Sequence, residues 1–96
     1  MIIINSTYVF VAYDIEDNGK RLRIAEMLQY YGLVRIQYSV FAGETVARSF
    51  REMCDRLFSM ELGEDDNITV ISVCENCKHK ILSVKSLPEQ IKHLSI

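Results

Sequence analysis

Four β-rich runs and two amphipathic stripes follow one another as strand, helix, strand, strand, helix, strand, an order that predicts an α+β chain of the ferredoxin-like type. Two further observations support this. The first and fourth strands are apolar on both sides, as central strands of a sheet are, and both helices carry a single apolar stripe, so they would cover one face of an antiparallel sheet. The chain has 96 residues, 49% of them hydrophobic and 25% charged, which fits a single domain spanning 1–96 and excludes a disordered or collagen-like chain.

Thr7 to Ile15 reads T-Y-V-F-V-A-Y-D-I, rich in β-branched and aromatic residues, and is the first strand. Asp17-Asn18-Gly19 breaks it, and Asn18 is placed to cap a helix running to about Tyr31. Ala25, Leu28, Ile24, Leu22 and Tyr31 give that helix its apolar spacing, and Gly32 suits the left-handed residue that ends it. Val34 to Phe41 alternates, with Val34, Ile36, Tyr38 and Val40 on one side and Arg35, Gln37 and Ser39 on the other. Gly43 is expected to allow a bend, with a brief strand near Phe41 to Thr45. Glu44 or Thr45 then opens a second helix whose stripe is Val46, Phe50, Met53, Leu57 and Met60. Gly63 to Asn67 is a turn, and Asn67 to Cys74 the fourth strand. Lys80 to Lys85 is a weaker, extra C-terminal strand stopped by Pro88.

The helices cover only one sheet face, yet the first strand is apolar on both sides, Val9, Val11 and Tyr13 against Phe10 and Ala12, as is the fourth, Thr69, Ile71 and Val73 against Ile68 and Val70. A second copy of the chain is the simplest cover, which predicts a homodimer.

Charge narrows the function. With 11 Lys+Arg against 13 Asp+Glu the net charge is −2, so nucleic acid would be held by a local cluster rather than by bulk basicity. No apolar run approaches the ~20 residues of a membrane helix. The N-terminus has no signal-peptide pattern and the three cysteines are an odd count, so the expectation is a cytoplasmic protein with reduced thiols and no membrane partner. No Gly-rich loop supports a small-molecule cofactor or regulatory ligand.

Asp14 ends the first strand, where a carboxylate is placed for a hard metal ion or, more simply, for bonding a turn. No second carboxylate joins it in the sequence, but two copies would meet at the axis of a twofold dimer. Lys20, Arg21, Arg23 and Arg35 form the local basic cluster, their guanidinium forks suited to phosphate, although a solvated helix face explains them as well. Gln37 and Ser39 share the strand side of Arg35. Tyr30, Tyr31 and Tyr38 read as core or edge packing. Cys74 and Cys77 form a lone C-x-x-C followed by His79. A structural zinc would need two more ligands, for which Cys54 and His93 are the candidates, and two reduced thiols are the simpler reading.

Tyr8-Val9-Phe10-Val11-Ala12-Tyr13-Asp14-Ile15, then Arg21-x-Arg23, then Tyr31-Gly32-Leu33-x-Arg35-Ile36-Gln37-Tyr38-Ser39-Val40-Phe41-x-Gly43-Glu44, together resemble the Cas-two family of CRISPR spacer-acquisition proteins. The likeness covers nearly the whole chain, including Cys74-x-x-Cys77. It departs from the family in a few extra N-terminal residues, at Gly19 and Lys20, and in Ile71-Ser72-Val73, where an aromatic is common.

The resemblance implies a ferredoxin-like homodimer in which the C-terminal strand joins the partner's sheet. It implies a metal-dependent endonuclease acting on single-stranded RNA or duplex DNA, with Asp14 as the residue for Mg²⁺ or Mn²⁺. Tyr13, Arg21, Arg23, Arg35 and Phe41 match positions tied to activity or substrate contact. It also implies a partner, the Cas-one integrase, which such dimers bridge while holding protospacer DNA. The alternative is a catalytically silent DNA-binding adaptor of the same complex. With few carboxylates and no evident general base, slow catalysis is expected, and Ser39 would orient one phosphate oxygen.

Overall fold

The computed structural model describes residues 6–74, 77 and 80–82. Its elements are β1 (Ser6–Asp14), α1 (Asn18–Tyr30), β2 (Val34–Gln37), β3 (Val40–Val46), α2 (Ala47–Phe58) and β4 (Asn67–Val73). The sheet is antiparallel with strand order β2-β3-β1-β4. That is the ferredoxin-like arrangement, with β1 and β3 central and β4 at an edge among the described residues. The extra strand expected at 80–85 lies mostly outside the described residues, although Ile81 makes a bridge.

Both helices lie on one face, as their apolar stripes require. Ile24, Ala25 and Leu28 of α1 and Met53 and Leu57 of α2 are buried against Val9, Val11, Tyr13 and Phe41. Phe50 and Met60 pack at the margin of this core, whereas Leu22 is 61% exposed and Val46 precedes α2 instead of lying in its stripe.

α1 begins one residue earlier than its predicted cap implied. Asp17, not Asn18, is the N-cap, and its Oδ2 accepts the Lys20 N–H at 2.8 Å. The helix ends as the sequence predicts. Gly32 has φ +90°, the Gly32 N–H donates to Gln29 O, and the Leu33 N–H donates to Leu28 O. These two bonds form a Schellman motif, and Leu28 and Leu33 share the core beneath it.

The run Val34 to Phe41 is not one strand. It breaks after Gln37 into a two-residue hairpin, Tyr38-Ser39, with a bulge between Arg35 and Gln37. Consequently β3 is longer than expected and runs through Val46, which delays α2 to Ala47. Gly43 is no bend. It pairs with Val9 in mid-strand, and a Cβ there would stand 3.0 Å from both Gly32 O and the Leu33 Cα. The α1–β2 connection thus crosses β3 so closely that a side chain there would have to push its backbone aside.

The opposite sheet face carries Tyr8, Phe10, Val34, Ile36, Ala42, Val73 and Ile81 as a second, thinner apolar cluster. In register, Val34, Ala42, Phe10 and Ile71 form one row across all four strands. Ile71, at the end of that row, is 53% exposed.

Candidate nucleic-acid site

Alternation along β1 separates two neighbours. Val9, Val11 and Tyr13 point into the helix side, while Tyr8, Phe10, Ala12 and Asp14 belong to the opposite face. Tyr13 is buried and its ring stacks on Phe41, centroids 6.3 Å apart and planes at 25°. Asp14, exposed and opposite Asn67, ends the strand. Ser39 fixes this end of β1 through its backbone, its carbonyl accepting the Tyr13 N–H at 3.0 Å.

The basic residues diverge. Arg35 stands opposite Phe41 on the helix side, its guanidinium carbon 5.2 Å from the Phe41 ring centre and 6.0 Å from that of Tyr38. Arg21 joins it in a cleft also lined by Tyr13, Asn18 and Tyr38. One Arg21 nitrogen donates to Ile15 O at 2.7 Å and Glu16 O at 3.1 Å, tying α1 to the chain just beyond Asp14. Lys20 turns the other way, its ammonium donating to Glu61 O at 2.7 Å beside the acidic 63–66 turn. Arg23 lies elsewhere again, near Glu26, Tyr30 and Arg56. The fold therefore gathers Tyr13, Arg21, Arg35 and Phe41 around one edge, puts Asp14 at the same end on the opposite face, and keeps Lys20 and Arg23 apart.

Two neighbours escaped the sequence reading. Tyr38 is 74% exposed at the hairpin tip, and Asn18 lines the cleft from the start of α1. Tyr30 is as exposed as Tyr38, so neither is core. Tyr31 is buried at the end of α1 with its hydroxyl donating to Glu52 (3.0 Å) and accepting from Arg56 (3.2 Å).

The loop after Asp14 is pinned by Asp66. Its carboxylate accepts the Glu16 N–H at 3.0 Å and the Gly63 N–H at 2.8 Å. These backbone donors, Glu16 first, hold its carboxyl below the usual carboxylate range, with the Lys20 charge adding in the same direction. A carboxyl depressed in the folded state stabilises above its unfolded pKa, about 3.9, and loses that contribution as pH falls through the folded value. Urea midpoints of wild type and Asp66→Ala should differ at neutral pH and converge in acid. A gap that stays constant down to acid pH refutes this linkage.

Among the described residues no three Asp, Glu, His or Cys side chains cluster as metal ligands, and no helix is long and apolar enough to cross a membrane. The three cysteines make no disulfide. His79 and His93 lie outside the described residues.

Residues 7–81 match the family described as CRISPR associated protein Cas2. The chain is 35% identical over 83 residues to the CRISPR-associated endoribonuclease Cas2 1 of Methanospirillum hungatei, covering 85% of this chain and 87% of that protein. It is 36% identical over 66 residues to a CRISPR-associated endonuclease Cas1/endonuclease Cas2 fusion of Thermoproteus tenax, covering 69% of this chain and 25% of the fusion. A solved structure titled "Crystal structure of cas2" superposes with a TM-score of 0.61 at 31% identity, covering 71% of this chain and 75% of that one. The matched span takes in β1 with Asp14, the Arg35–Phe41 hairpin and the start of the C-terminal segment, and on this ground the chain belongs to the CRISPR-associated Cas2 family.

Proposed function

We propose that the chain is a metal-dependent endonuclease of CRISPR spacer acquisition, acting on RNA or DNA as a homodimer joined through the sheet face opposite the helices. The observation that carries this reading is the position of Asp14, exposed at the end of β1 and on the same side as Tyr8, Phe10 and Ala12. Closing that face against a second copy buries the apolar row and brings the two Asp14 carboxylates toward the axis.

One carboxylate is a poor hold for Mg²⁺ or Mn²⁺, but two, completed by water and substrate phosphate, suit a hard cation. The donor set therefore fits the ion only in the two-chain form. When bound, the ion supplies Lewis-acid stabilisation of charge on the phosphoryl oxygens. Arg35 and Arg21, at the same end of the sheet, bind flanking phosphates; the Phe41 and Tyr38 rings hold Arg35 in place, and Tyr13 backs Phe41. Contacts to phosphates carry no sequence information, so binding is sequence-tolerant and steep in salt.

A second reading takes its partner, but not its silence, from the Thermoproteus tenax protein, whose name joins Cas1 and Cas2 in one chain. Here the dimer is a catalytically silent adaptor that binds protospacer DNA and bridges the Cas-one integrase. Arg23, on α1 away from the Arg21–Arg35 cleft, adds a separate basic point that suits a long duplex better than a single scissile bond.

The test compares wild type with Asp14→Asn on single-stranded RNA and duplex DNA, with Mg²⁺, Mn²⁺ or chelator. The nuclease reading expects cleavage that needs metal and falls at least ~100-fold in the variant, with folding unchanged because Asp14 is exposed. Metal-independent or Asp14-independent cleavage overturns it. Tight binding of duplex DNA with no cleavage moves the assignment to the adaptor.

A further inference from the structure

The end of β4 carries two exposed cysteines that the proposed chemistry does not use. The Cys77 N–H donates to Cys74 O at 2.9 Å, the closure of a reverse turn. A turn so closed brings its first and fourth Cα atoms within about 7 Å, inside the reach of a disulfide. The side chains converge as well, the Cys77 thiol hydrogen-bonding the Cys74 sulfur. The Lys80 N–H donates to Cys77 O at 2.9 Å, and Ile81 packs with Tyr8 and Ala42. Cys74 and Cys77 are both open to small reagents, whereas Cys54 is half-buried on α2.

We infer that Cys74 and Cys77 form a dithiol site that exchanges reversibly with low-molecular-weight disulfides. The order of attack follows from the pair itself. The hydrogen bond to Cys74, and then the charge there, hold the proton on Cys77, which suits Cys77 to the second, resolving step. The Cys74 thiolate attacks one sulfur of the small disulfide, forming a mixed disulfide and expelling one small thiolate. Cys77 then gives up its proton and attacks the Cys74 sulfur, forming the Cys74–Cys77 bond and expelling the second small thiolate. In sum, the protein dithiol is oxidised, one small disulfide is reduced to two thiols, and two protons leave the protein sulfurs. The site differs from a thioredoxin-type centre, where a helix N-terminus activates the first cysteine. Here the two thiols follow the end of a strand. Burial and the Asp55 charge raise the Cys54 thiol, which makes it an internal control for non-selective oxidation.

The test uses the full chain equilibrated in glutathione–glutathione disulfide mixtures with a chelator present, so that no bound metal masks a thiol. Acid-quenched samples are alkylated and weighed intact. Wild type and Cys54→Ser should each lose two labels together, without an adduct and reversibly with dithiothreitol. Cys77→Ser should stop at a single glutathione adduct on Cys74, formed at least ~10-fold faster than any adduct on Cys54. Persistent labelling of both thiols in the most oxidising mixture, two separate adducts, or a disulfide between chains overturns the assignment.

Discussion

Replacing Phe41 by alanine should lower the stability of the fold by about 3–5 kcal/mol, against a total of about 5–15 for a domain of this kind. In thermal unfolding that is a fall of roughly 15–30 °C in Tm. Phe41 is wholly buried, is the bulkiest side chain in the core with no exposure, and sits on a central strand in register with Val11. Its ring supports Tyr13 on one side and the Arg35 guanidinium on another, so the cavity left by alanine opens both a core and a site contact. Phe41→Leu fills most of the volume and should cost far less while still removing the aromatic face beneath Arg35. Lost nucleic-acid binding in Phe41→Leu with Tm largely kept would assign the ring a positioning role. Loss in Phe41→Ala alone would follow from unfolding. A Tm within a few degrees of wild type in Phe41→Ala would contradict the packing described for this ring.

Much of the architecture is written locally. The Leu28–Leu33 contact and Gly32 end α1 where the spacing says they should, and the 3.6-residue stripes put both helices on one sheet face. The hairpin is different. Tyr38-Ser39 contains no glycine, asparagine or aspartate, and no non-glycine residue of the described chain has positive φ. The tight turn is thus built without a left-handed residue, and the bulge between Arg35 and Gln37 accommodates the strand geometry. Alternation of Val34, Ile36, Tyr38 and Val40 runs straight through it, and so hides it. Gly43 is illegible for another reason. Its need for a missing side chain comes from Gly32 and Leu33, earlier in the sequence on another segment, and only the folded crossing reveals it. Period-two alternation groups Asp14 with Phe10 and Ala12, and the packing of the helices shows which face that is. The basic cluster, by contrast, was grouped by nearness along the chain. Residues two apart on a helix do not share a face, and Arg21 and Arg23 separate accordingly.

Phe10→Lys should convert the protein to single chains. On the proposed two-chain arrangement, Phe10 lies at the middle of the row Val34, Ala42, Phe10 and Ile71, and twofold symmetry places the substitution in the interface twice. An unpaired buried charge costs about 3–5 kcal/mol, so two copies raise the dissociation constant by at least ~10⁴-fold. The isolated chain tolerates the same change, because Phe10 is only half-buried and the lysine stem can lie along the sheet with its ammonium in water. Light scattering should therefore report twice the chain mass for wild type and one chain mass for Phe10→Lys, with the same circular dichroism. Leu22→Lys, a comparable change at an exposed position of α1, should leave the doubled mass intact. The consequence reaches the chemistry, because each chain supplies one Asp14 at the strand end. Separating the copies separates the carboxylates, and metal-dependent cleavage should disappear with the dimer while all side chains of the Arg21–Arg35 cleft remain in place. Wild type at one chain mass, or Phe10→Lys still at two, would remove this face as the joining surface. Full cleavage by a monomeric Phe10→Lys would show that one Asp14 suffices, and the shared metal site would have to be abandoned.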